Sequence, residues 1–83
     1  MNLFEELLMI RVKHDSFQTF VRCGIIDSSN DIVSDMYEIS IKIDYYLSKV
    51  DLSDVYKVFD LDKKFGVLEF ELYRYFKKES EVK

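Results

Sequence analysis

Leu3, Leu7, Ile10, Phe17 and Val21 lie on one line at helical steps, with His14 filling its gap. That spacing predicts a helix over about 3–23 with one apolar face. Asn2 suits its N-cap, with Glu5 three positions on as the reciprocal partner, and Gly24 suits a left-handed stop. A strand over 8–12 is the rival reading and accounts for fewer positions. Turn residues fill 25–30, where Ser29 or Asn30 can cap a second helix over about 31–49. The core stripe of that helix is Ile32, Met36, Ile39, Ile43, Leu47 and Val50.

The third quarter is less regular. Asp51, Leu52, Ser53 and Asp54 form a capping sequence ahead of a short helix over about 53–59, with Val55, Val58 and Phe59. Residues 60–66, ending in Gly66, read as a turn. Residues 67–78 fit a helix through Leu68, Leu72 and Phe76. They also fit a strand with Leu68, Phe70 and Leu72 on one face and Glu69 and Glu71 on the other. The expected fold is mostly α, a small bundle of three to four helices in a single domain over 1–83. A short β-hairpin within residues 55–76 is the alternative near the C-terminus.

Composition sharpens this picture in places. The 83 residues include no proline and two glycines, which argues against a sheet with many tight turns. Alanine is absent as well, so the strongest helix former is missing. The bias toward isoleucine, lysine, aspartate, tyrosine and phenylalanine suits an AT-rich bacterial or phage genome. A chain of this size buries only roughly 60 % of its unfolded surface, which leaves little material for a cleft, a cofactor shell and a lid together. No apolar run approaches the ~20 residues of a membrane span, and Glu5 and Glu6 follow the first apolar residues where a signal peptide would continue. The expectation is a cytoplasmic protein without membrane contact.

Charge is unevenly placed. Residues 27–62 hold nine carboxylates against three lysines, while the flanking segments are neutral or slightly basic. Nucleic-acid binding needs a basic stripe for phosphate contacts, and only the small cluster Arg74, Lys77, Lys78 is basic. A protein partner with a basic surface fits the acidic centre better.

Within the second helix, Tyr37, Ile41 and Tyr45 fall almost opposite the core stripe, where a surface helix is normally polar. The segment is then a strand, a central helix packed on both sides, or a partner-binding face. Asp31, Asp35 and Glu38 share the neighbouring face. Tyrosine gives contact area at low entropy cost, and carboxylates steer association. These six residues are the candidate partner-binding site, against the plainer reading of a solvated acidic face beside inward-packed aromatics.

Reactive groups are sparse. One cysteine, Cys23, and one histidine, His14, exclude an intramolecular disulfide and zinc sites built on cysteine clusters or histidine pairs. On a helix the two face nearly opposite ways, so they form no nucleophile pair. His14 reads as a packed core histidine. The carboxylate pairs Glu5/Glu6, Glu69/Glu71 and Glu79/Glu81 lack a nucleophile or basic partner and read as solvated surface.

Asp60, Asp62, Val67 and Glu71, flanked by Phe59 and Leu72, stand at positions one, three, eight and twelve of a twelve-residue stretch that resembles an EF-hand calcium loop. The resemblance covers the loop alone. Lys64 stands at position five in place of an oxygen donor, and Phe65 at position six where the loop needs glycine. Residues 27–38 make a weaker second copy.

The expected function is therefore a non-enzymatic protein-binding module. Its sharpest form is a small acidic inhibitor or modulator of a basic-surfaced bacterial or phage-related partner, of the anti-defence kind, that uses no cofactor and no metal. The alternatives are a degenerate EF-hand-like calcium-responsive module using Asp60, Asp62 and Glu71, and a homodimer paired through Tyr37, Ile41 and Tyr45. Monomer and homodimer both remain open at this point.

Overall fold

The computed structural model describes residues 2–49 and 52–81, with side chains for all of these except 52, 80 and 81. Among them the chain forms three α-helices and no strand: α1 over Leu3–Arg22, α2 over Asp31–Ser48 and α3 over Val55–Glu81. A 3-10 turn over Leu52–Asp54 leads into α3. Val50 of the expected core stripe and Asp51 of the expected cap lie outside the described residues.

The first two helices are bounded by the groups the sequence offered. Asn2 Oδ1 accepts the Glu5 N–H at 2.9 Å, and Asn2 Nδ2 donates to Glu5 Oε1 at 3.2 Å. At the other end Gly24 takes φ +76°. The Gly24 N–H then reaches Val21 O at 3.1 Å and the Ile25 N–H reaches Phe20 O at 2.9 Å, the paired bonds of a Schellman close. Asn30 caps α2: its Oδ1 accepts from the Ile32 and Val33 N–H groups at 2.8 and 3.3 Å. Hydrogen bonds from Ser29 to the Asp27 carboxylate tighten the corner and hold its pKa below the ordinary carboxylate value.

Two apolar clusters lie along the bundle. Phe17, Val33, Met36, Phe65 and Leu72 form one; Ile10, Ile43 and Val58 form the other. These groupings pair the start of α2 with the late parts of α1 and α3, and its end with their early parts. α2 therefore runs antiparallel to both neighbours, and α2 and α3 make the closest pair. The rings of Phe17 and His14 stand edge-on to Phe65 at 5.0 and 4.4 Å.

The expected break over 60–66 is absent, and so is the hairpin. α3 passes through both without interruption. Val58, Leu61, Phe65, Leu68 and Leu72 keep helical steps across the segment, and all five pack inward. A strand would turn Phe70 to the same side as Leu68 and Leu72, yet Phe70 is 62 % exposed. Burial of Phe65 outweighs the weak helix propensity of its neighbour Gly66. An added Cβ at Gly66 meets nothing within 4 Å. Gly66→Ala is accordingly expected to stabilise the protein by about 1 kcal/mol, read as a higher urea midpoint. A loss of stability would restore the turn.

Past Leu72 the helix continues beyond the core, with Tyr73, Tyr75 and Phe76 exposed, and the molecule measures 49 Å along its longest axis. No helix among the described residues is long and apolar enough to cross a membrane.

Candidate protein-binding face

α2 places Asp31, Asp35 and Glu38 on its outer side, all exposed. Their spacing of four and three residues stacks them within two turns. None of the three carboxylates bonds to another described residue. Lys42 follows Glu38 by one turn and ends the acidic strip. Ile41 and Tyr45 are 46 % and 58 % exposed beside it. The Lys49 ammonium lies 4.5 Å from the centre of the Tyr45 ring and covers one of its faces.

Tyr37 separates from its expected companions. It is half-buried and packs against the cluster around Phe65. The second stripe of α2 is thus divided: Tyr37 serves the core, while Ile41 and Tyr45 face solvent. The strand reading of this segment is overturned, since residues 31–48 form a helix, and a homodimer paired through all three residues lacks an outward-facing Tyr37.

The calcium-loop residues do not converge. Helical rise sets Asp60 and Glu71 about 16 Å apart along the axis. Asp60 and Glu71 are exposed, whereas Asp62 turns inward to Lys13 and His14. Among the described residues no group of three or more His, Cys, Asp and Glu could hold a metal ion. In the weaker second copy, Asp27 and Asn30 spend their oxygens on the backbone of the corner.

Asp62 belongs instead to a polar layer between the two apolar clusters. His14 is fully buried; its Nδ1 lies 3.0 Å from Ser40 Oγ and its Nε2 2.9 Å from Asp62 Oδ1. Gln18 Nε2 donates to Ser40 Oγ at 2.9 Å and to Asp44 Oδ2 at 2.7 Å. One proton arrangement satisfies every contact: Gln18 donates to the Ser40 oxygen, Ser40 donates to Nδ1, and Nε2–H donates to Asp62. Lys13 Nζ adds a contact to Asp62 at 3.2 Å. No buried side-chain nitrogen or oxygen among the described residues lacks a partner.

The order Asp62, His14, Ser40 resembles a hydrolase triad on paper. Ser40 Oγ, however, is enclosed by the three helices, and a nucleophile must be reachable by its substrate. Cys23, the C-cap residue of α1, is exposed and makes no side-chain bond to this layer.

Helical spacing carries a usable signal for part of the layer. Gln18 follows His14 by four residues, and Ser40 sits on the line of Val33, Met36 and Ile43. Polar residues at core positions call for one another as partners. Asp62 was hidden by the calcium-loop pattern, and Asp44 by its place among surface charges.

No family model matches the chain, and no curated protein or solved structure matches it.

Proposed function

We propose that the protein is a non-enzymatic binding module, a small acidic inhibitor or modulator of bacterial or phage origin that acts in the bacterial cytoplasm. It docks the outer face of α2 onto a basic, partly apolar protein surface. One observation carries this reading: three exposed carboxylates, without a side-chain partner among the described residues, stand in one strip beside exposed Ile41 and Tyr45. Unpaired carboxylates lose little by exchanging water for lysine and arginine, and they speed the encounter with a basic patch. Tyr45 and Ile41 supply the apolar contact that charge alone does not give.

The test reverses the strip while leaving the core untouched. Asp31→Lys, Asp35→Lys and Glu38→Lys together should keep the circular dichroism of the wild type. They should weaken capture of the basic partner from host lysate by about 100-fold, since each contact is worth roughly 1 kcal/mol. Wild-type capture should also fall steeply with salt. Equal capture by the triple variant, or capture indifferent to salt, would remove the acidic face from the account.

A further inference from the structure

α1 carries a second apolar row on the side away from its core line. Phe4, Leu8, Val12, Ser16 and Phe20 succeed one another at steps of four, with no charge among them. Phe4 is 74 % exposed and Val12 58 %; Leu8 and Phe20 are each close to half exposed. The row offers on the order of 400 Å² of apolar surface, as large as the main patch of an ordinary monomer. Leu47 of α2 reaches the edge of the row beside Phe4 and Leu8, and the row's large side chains still stand about half exposed or more.

We propose that a second copy of this chain covers it, α1 against α1, antiparallel about a two-fold axis near Val12. The inference is independent of the α2 face. Three features select a second copy over another occupant. First, the row is nearly the same read in either direction from Val12: aromatic at both ends, smaller in the middle. Second, it follows the i, i+4 ridge of the helix. Two such ridges interdigitate when helices cross at about −50°, the commonest packing angle. At that crossing Phe4 of one copy lies beside Phe20 of the other.

Third, the flanking charges complement themselves. Arg11 and Asp15 sit beside the row, exposed, and meet only at 3.9 Å within the chain. Antiparallel pairing sets the Arg11 of each copy against the Asp15 of the other. The row with its flanks falls somewhat short of the ~800 Å² per partner typical of a stable complex. The dimer is thus a weak one, with a Kd on the order of 50 μM, formed at high local concentration.

Sedimentation velocity at about 5 μM and about 500 μM reads this directly. The wild type should move from monomer to dimer between the two. Val12→Asp should stay monomeric at both with unchanged circular dichroism, and Leu8→Lys gives the same reading should Val12→Asp fold poorly. Val12→Cys in a Cys23→Ser background should form an interchain disulfide under mild oxidation, because the axis passes between the two copies of residue 12. The triply reversed α2 variant should dimerise like the wild type. A wild type monomeric at the higher concentration overturns the proposal. So does a dimer that survives Val12→Asp, or one that resists the Val12→Cys cross-link.

Discussion

Phe65→Ala is expected to cost about 3–5 kcal/mol, the largest effect of any single truncation in this chain. Whole domains of this size are stable by roughly 4–12 kcal/mol, so the variant stands near the edge of folding. Phe65 is 1 % exposed and packs in a cluster to which all three helices contribute. Its ring faces Phe17 and His14 edge-on, and the Lys13 ammonium stands 5.2 Å from its centre. Removing it opens a cavity bordered by the polar layer, which neighbouring side chains cannot collapse to fill. Urea denaturation measures the loss. Phe65→Leu, which keeps most of the volume, should recover more than half of it. A cost of only about 1 kcal/mol for alanine would mean that the cluster repacks to fill the space the ring leaves.

The second large effect is expected at Asp62. Asp62→Ala removes the acceptor of the His14 Nε2–H and leaves that donor buried without a partner. The cost is about 2 kcal/mol, and the melting temperature should fall by roughly 8–16 °C. Asp62→Asn retains an oxygen and should lose less. The mechanism separates from simple loss of a surface charge through a double-mutant cycle with His14→Leu. With the imidazole gone, the orphaned donor is gone too, so Asp62→Ala should then cost under about 1 kcal/mol. Equal costs in both backgrounds would show that the Asp62–His14 contact contributes nothing.

Both residues show where the sequence could be read and where it could not. α1 and α2 were legible because local and tertiary signals agreed. Asn2, Gly24 and Asn30 stood at the ends of apolar lines with helical steps, and each makes the cap its type allows. In residues 60–66 the signals disagreed. Asp60, Asp62 and Gly66 favour a turn when judged alone, while Val58, Leu61, Phe65 and Leu68 call for one unbroken helix. Burial of four large side chains exceeds a propensity deficit of about 1 kcal/mol, and the helix wins. The alternation of Leu68, Phe70 and Leu72 misled for a related reason: two of the three pack inward and the middle one does not.

On the α2 face, spacing alone predicted the exposure of Asp31, Asp35 and Glu38. It did not separate Tyr37 from Ile41 and Tyr45. A difference of about 40° per step of four residues brings Tyr37 to the edge of the core, and that edge depends on how α3 lies against α2. The second row of α1 is masked in the sequence by the inner line, which alone accounts for the helix. The row's large apolar side chains at steps of four stand out only once the core of α2 and α3 is seen to pack on the inner line.

The polar layer also fixes how the helices are aligned lengthwise. An all-apolar seam, rich in rings of similar size, would let α3 slide along α1 by a turn with little change in buried area. Such a slide moves Asp62 by about 5.4 Å and brings Val58 or Gly66 opposite the imidazole. Neither can accept the Nε2 proton, and each stranded group costs about 1–3 kcal/mol. His14, Ser40 and Asp62 thus act as a key cut for one alignment, selecting among near-equal packings that the greasy residues alone would tolerate.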